Sequence, residues 1–139
     1  QGEGASTNML LETFRESPRA VLLGTRAFWE GVDIPGEALS VLVIIKLPFD
    51  VPSDPVIAAR AETFDDAFNE YNLPEAILKF RQGFGRLIRT QSDRGVVVIL
   101  DRRVLTKKYG RQFIESLPVC TTKVGSVVDL PKAAAKWLE

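Results

Sequence analysis

Three near-continuous apolar runs stand out along the chain: AVLLG at 20–24, VLVIIKL at 41–47 and GVVVIL at 95–100. They are β-branched and do not alternate with polar residues, the pattern of strands covered on both faces. A weaker fourth strand, VCTTKV, is expected at 119–124. Between these runs apolar residues recur every three or four positions, which predicts helices. Ser6 or Thr7 is placed to cap the first, running to Glu16 with Met9, Leu10 and Phe14 apolar and Ser17-Pro18 stopping it. Asp54 as cap and Pro55 at the first helical position open a second through Asn69, with Ile57, Ala61, Phe64 and Phe68 inward. Leu73-Pro74 starts a third through Ile88, its apolar stripe formed by Ile77, Phe80, Phe84 and Leu87. A fourth spans 103–117 and ends at Pro118, and a short one follows Asp129-Leu130-Pro131 to Trp137.

Strands separated by helices imply βαβ crossovers, hence an α/β fold with a mostly parallel sheet and helices on both faces. In such sheets ligands are met beyond the carboxyl ends of the strands. That rule singles out the segments after Gly24, after Leu47 and after Leu100.

Composition narrows the chemistry more than the fold. The 139 residues are one domain's worth of chain, 45% hydrophobic and 26% charged, as in soluble globular domains. With no His and one Cys, Cys120, the chain excludes a zinc finger, a disulfide framework, an iron–sulfur cluster held within it and histidine acid–base catalysis. No apolar run reaches the roughly 20 residues of a membrane helix. No membrane partner and a cytoplasmic setting are therefore expected, and the start at Gln1-Gly2 reads as that of a fragment. Lys and Arg together balance Asp and Glu at 18 each. The balance is not local: residues 81–111 hold nine basic side chains against two acidic ones, while 60–76 carry five acids against Arg60. The basic stretch is either a solvated face or a surface for polyphosphate or nucleic acid.

Two segments carry candidate chemistry. In QGFGRLIR, 82–89, Gln82, Arg86 and Arg89 fall at i, i+4 and i+7 and share one helical face. Guanidiniums on one stripe repel unless an anion lies between them, and their planar forks suit phosphate oxygens. Gly83 and Gly85 each cost about 1 kcal/mol inside a helix, which suggests a close approach there. The bland alternative is an arginine face paired with acidic neighbours. In GTRAFWEGVDIPG, 24–36, three Gly and a Pro shape a loop at a strand's carboxyl end. It offers Thr25, Glu30 and Asp33 to a ligand, with Phe28 and Trp29 read as a hydrophobic plug. The Gly-rich start, 2–7, lacks a Lys and is taken as a helix start; the chain has no Gly-Lys dipeptide, so a Walker A loop is absent.

Taken in order, these segments resemble a known family. GTRAFWEGVDIPGEAL is similar to helicase motif V and QGFGRLIRT to motif VI. With KLPF-x-x-P-x-DP between them and DRGVVVILDRR after, the match from about Gln1 to Pro118 resembles the DinG-type branch of XPD-like superfamily 2 DNA helicases. The resemblance implies a RecA-like (P-loop NTPase-like) second motor domain, clipped at its N-terminus, covering 1–139 as a fragment of a larger helicase. It implies that Arg86 and Arg89 reach the γ-phosphate of ATP, with Gln82 and Gly85 near the same phosphates. Glu30, Gly31 and Asp33 would couple ATP state to the bound strand, and Thr25 and Arg26 would touch DNA phosphates. ATP and Mg²⁺ would be held mainly by an absent N-terminal motor domain, which is the expected partner along with single-stranded DNA. Any iron–sulfur cluster would lie outside this chain, travel would be 5′→3′, and the isolated fragment would be inactive. The rival from another class is a non-catalytic α/β nucleic-acid-binding or partner-docking module whose basic stretch is only adhesive.

Overall fold

The computed structural model describes residues 6–25, 39–88 and 93–139. Helix α1, Thr7–Glu16, begins as its sequence suggests: Ser6 stays extended and its hydroxyl accepts the Met9 N–H at 3.3 Å. Leu11 is its buried residue, packed with Phe14, Leu22 and Leu39, whereas Met9 is half exposed. Two strands follow farther on, β1, Val41–Ile44, and β2, Val96–Ile99. They pair in parallel with Val41 opposite Val96 and Ile44 opposite Ile99. The crossover between them holds helix α2, Pro55–Ala61, a π-helical turn, Phe68–Asn72, and helix α3, Leu73–Leu87. After β2 come α4, Arg103–Thr106, α5, Gly110–Glu115, a 3₁₀ turn, Val127–Asp129, and α6, Leu130–Leu138, which lies against β2.

The core forms between one face of the strand pair and α3. Side chains alternate across a strand, so Leu42, Ile44, Val97 and Ile99 share the face that meets Leu73, Ala76, Ile77 and Phe80 of α3 and Phe113 of α5. Phe80 and Phe113 are fully buried and meet edge to face at 5.4 Å between ring centroids. On the opposite face Val98 is buried but its partner Val43 is 49% exposed. Coverage on both faces thus holds for β2 and not for β1.

Four expectations need correction. Residues 20–24 form no strand: Leu22 packs inward while Val21 and Leu23 are exposed, an alternation without a hydrogen-bonded neighbour among the described residues. Residues 119–124 are also irregular, with Val119 and Val124 exposed. An apolar run states a preference for burial, but a ladder needs a partner edge. The helix expected over 54–69 stops at Ala61, and Asp66 starts a new segment by accepting Asn69 N–H at 3.1 Å and Asn69 Nδ2 at 2.6 Å. Local carboxylates that compete for backbone donors break helices in this way. The helix expected over 103–117 is two, α4 and α5, meeting at Gly110, where an added Cβ would run into the carbonyl oxygens of Arg103 and Val104.

Candidate functional site

Helix α3 positions Gln82 and Arg86, the two described polar side chains of the QGFGRLIR segment. Leu73, Ala76, Phe80, Gly83, Phe84 and Leu87 form its buried face, and that stripe fixes the rotation of the helix. Gln82 and Arg86 are thereby turned outward together, and with Glu75, Leu78 and Lys79 they line an open cleft of about 350 Å³. Gln82 is exposed and Arg86 half-buried. The helix ends at Ile88, extended at φ −115°. Arg89 lies outside the described residues, as do Arg26, Glu30, Gly31 and Asp33. Thr25 is described and exposed, and the structure does not bring it to the cleft.

The two glycines of α3 differ. Gly83 sits within the buried face. Gly85 is exposed, and a Cβ placed there would meet no atom within 4 Å. The close approach expected at Gly85 therefore does not come from the described residues of this chain.

The segments after the carboxyl ends of β1 and β2 are tied together by groups the sequence did not single out as a site. Asp101, two residues past β2, accepts the Leu47 N–H at 2.8 Å, three residues beyond the end of β1 and next to Pro48. Its carboxylate also takes Arg103 Nη2 at 2.6 Å, Arg103 Nε at 3.0 Å and the Arg103 backbone N–H at 3.0 Å. The Arg103 side-chain hydrogen bonds hold the Asp101 carboxyl down at about 2, against the opposing effect of burial and with help from the Leu47 and Arg103 amides. The Arg103 guanidinium lies over the Phe49 ring, 5.3 Å from its centroid. One residue on, Asp50 takes Lys79 Nζ of α3 at 2.6 Å. The available signal was a carboxylate in the segment after each strand, Asp50 and Asp101, where the working loops of parallel sheets lie.

A larger cavity, about 610 Å³, lies between α2 and the π-helical turn, lined by Val56, Ala59, Arg60, Phe64 and Tyr71 among others. Its walls are almost wholly apolar, and Phe64 stacks on Tyr71 at 5.5 Å. It contains none of the sequence-predicted site residues. Among the described residues no group of three His, Cys, Asp or Glu is placed to hold a metal ion. No helix among them is long and apolar enough to cross a membrane.

Helix α3 thus presents Gln82 and Arg86 together on the crossover between two parallel strands. Residues 1–120 match the family described as the helicase C-terminal domain. The chain belongs to that family, and its relatives are of DinG type. It is 47% identical over 130 residues to a Bacillus subtilis protein named 3′-5′ exonuclease DinG, covering 91% of this chain and 14% of that protein. It is 48% identical over 122 residues to the ATP-dependent DNA helicase YoaA of Haemophilus influenzae, covering 85% of this chain and 19% of the relative. The ATP-dependent helicase DinG of Mycobacterium tuberculosis is 41% identical over 117 residues, covering 81% and 18%. This helicase C-terminal domain thus spans less than a fifth of the length of these relatives. Its parallel strand pair with a helical crossover is consistent with the RecA-like architecture that the motifs imply.

Proposed function

We propose that this domain is the second motor domain of an ATP-dependent DNA helicase and completes an ATP site shared with a first motor domain elsewhere in the polypeptide. The observation that carries the reading is the shared cleft of Gln82 and Arg86 on α3, in a chain of the helicase C-terminal family. A guanidinium held on a helix packed into the core presents a fixed fork to phosphate oxygens, and it cannot lose its charge. In phosphoryl transfer the charge spreads over the γ-oxygens, and an arginine arriving from across a cleft is worth roughly 10³–10⁵ in rate. Arg86 takes that role together with Arg89, and Gln82 and Gly85 lie beside the same phosphates.

Among the described residues no group of three His, Cys, Asp or Glu is placed to hold an ion; in this reading Mg²⁺ would arrive with the nucleotide, held mainly by the other domain. Bound there, it supplies charge neutralisation between phosphate oxygens. Glu30, Gly31 and Asp33 couple nucleotide state to DNA, and Thr25 and Arg26 touch strand phosphates. Those contacts make single-strand binding salt-dependent and nearly blind to sequence. Strand travel is 5′→3′ in this reading. The names of the YoaA and DinG relatives support ATP and DNA as its substrates.

The test is DNA-stimulated phosphate release by the full-length protein. Arg86→Ala should lower kcat by about 10² or more, the scale of lost transition-state charge stabilisation. KM for ATP should change far less, and Arg86→Lys should restore little because a point charge does not span two oxygens. A folded Arg86→Ala enzyme with full turnover and weaker DNA binding would replace this reading by the adhesive-module one.

A further inference from the structure

Among the described ion pairs, Asp50–Lys79 is the one with both side chains largely buried, 6% and 14% exposed. Its partners are 29 positions apart in sequence, and they join the loop after β1 to α3. The other two long-armed pairs differ. Arg111–Glu115 is exposed within one helix, and Arg103–Asp101 is local to the end of β2. Lys79 precedes Gln82 by three positions and Arg86 by seven, so all three share one helix face and line one cleft. The Lys79 ammonium is drawn down to Asp50 at 2.6 Å, with Glu75 of the preceding turn at 3.9 Å. Asp50 itself stands on the segment whose Leu47 amide is fixed by Asp101. Two polar contacts, joined by the backbone from Leu47 to Asp50, therefore link the end of β2 and the loop after β1 to the helix face that carries Gln82 and Arg86.

We infer that Asp50 and Lys79 form a positioning pair for ATP turnover, setting the height of that helix face relative to the strand ends. The inference rests on the motor reading proposed above. Apolar packing fixes which face of α3 is buried, but apolar contacts are non-directional and tolerate sliding along the helix axis. A short charged hydrogen bond three residues before Gln82 is directional and limits that sliding. The requirement is strict, because a misplacement of about 1 Å in a reacting geometry can cost on the order of 10²-fold in rate. The same pair keeps the Lys79 charge occupied, so the ammonium does not compete with Arg86 for an incoming phosphate.

The experiment uses the full-length protein with saturating oligo-dT, measuring kcat and KM for ATP below the melting temperature of every variant. Lys79→Met and Asp50→Asn should each lower kcat about 10-fold, with KM for ATP within about 3-fold, since ground-state contacts come mainly from elsewhere. Lys79→Arg, which keeps the charge and the reach, should recover most of the turnover. The double variant Asp50→Asn/Lys79→Met should be no worse than either single variant, because both substitutions remove the same contact. Full kcat in the folded single variants overturns the proposal. So does equal damage from Lys79→Arg and Lys79→Met, or additive losses in the double variant. A rise in KM at constant kcat would make Lys79 a ground-state ligand and also overturns it. Arg86→Ala run in parallel separates the two readings. If Arg86→Ala is impaired and the pair variants are not, only the positioning role fails; if Arg86→Ala turns over normally, the motor reading itself has failed.

Discussion

Helix α3 and the helical stretch before it, residues 54–72, carry the same apolar spacing, yet only α3 is a continuous helix with a buried face. In α3, Leu73, Ala76, Phe80, Phe84 and Leu87 all reach the interior. In the earlier stretch Ile57 and Ala61 are half-buried, while Phe64 and Phe68 remain 40% and 39% exposed. Two differences account for this. Opposite α3 stands the apolar face of β1 and β2, so each turn of helix gains burial. The earlier stretch also contains Glu62, Asp65 and Asp66, and Asp66 captures the Asn69 amide while Glu70 accepts the Asp66 N–H at 3.3 Å. Periodicity proposes a helix; the surface across from it and the carboxylates within it decide whether the helix persists. The proposed site lies on the helix that persists, which suits a group that must meet phosphate without reorganising.

The contrast makes its largest prediction at the phenylalanines. Phe80→Ala should destabilise the domain by about 3–5 kcal/mol, the range for emptying a buried aromatic site. Phe68→Ala, on the half-exposed stretch, should cost about 1 kcal/mol, mainly through lost stacking with Phe49 at 5.9 Å. Chemical denaturation of the two variants gives both numbers. Equal losses would mean that the stretch before α3 is as deeply integrated as α3 itself.

Much of this was legible from sequence where the deciding partner is near in the chain. Ser6 and Asp54 acted as caps, and Gln82 and Arg86 emerged on one face, because spacing along a helix fixes these relations. Parallel pairing of β1 with β2 followed from the helices between them. The two strand failures share a cause. Residues 20–24 and 119–124 were apolar enough for strands, but pairing depends on an edge that sequence does not reveal. The contacts that build the site floor join residues 54 and 29 positions apart, Leu47 to Asp101 and Lys79 to Asp50. Neither has a local periodic signature. The core of the motif V segment, with Glu30, Gly31 and Asp33, lies outside the described residues and stands on its resemblance alone.

An intermediate effect is expected from Asp101, which anchors the strand ends beneath α3. Its folded-state pKa, about 2, lies below the ordinary 3.8, so its ionised form stabilises the native state. That contribution is complete above about pH 5 and is lost as pH falls through 3.8 and then through 2, with a total of about 2 kcal/mol. Asp101→Asn should flatten the stability profile in that window while leaving its shape above pH 5 unchanged. An Asn variant with the wild-type acid slope would show that other carboxylates carry the acid sensitivity, and that the strand ends are held no more firmly than the stretch before α3.

The smallest effect is the most diagnostic, because stability and activity should move in opposite directions. Gly85 is helical and exposed, and a Cβ there would meet nothing within 4 Å. Helix propensity alone then favours Gly85→Ala by about 0.5–1 kcal/mol, partly through the unfolded chain. If the face beside Gln82 and Arg86 stands free, as the exposed aromatics of residues 54–72 do, full-length protein carrying Gly85→Ala should be slightly more stable and fully active. If nucleotide or a second motor domain closes against α3, the added methyl obstructs that approach. DNA-stimulated ATP turnover should then fall several-fold while the melting temperature rises. Gly95 serves as the contrast, since a Cβ there would overlap the Leu87 side chain at 2.6 Å, and its substitution should lower stability and activity together. Melting temperature and kcat measured on the same preparations separate these outcomes. A stabilised Gly85→Ala enzyme with unchanged turnover would remove the reason for a glycine on the cleft-lining face, and with it the expectation that anything docks there closely.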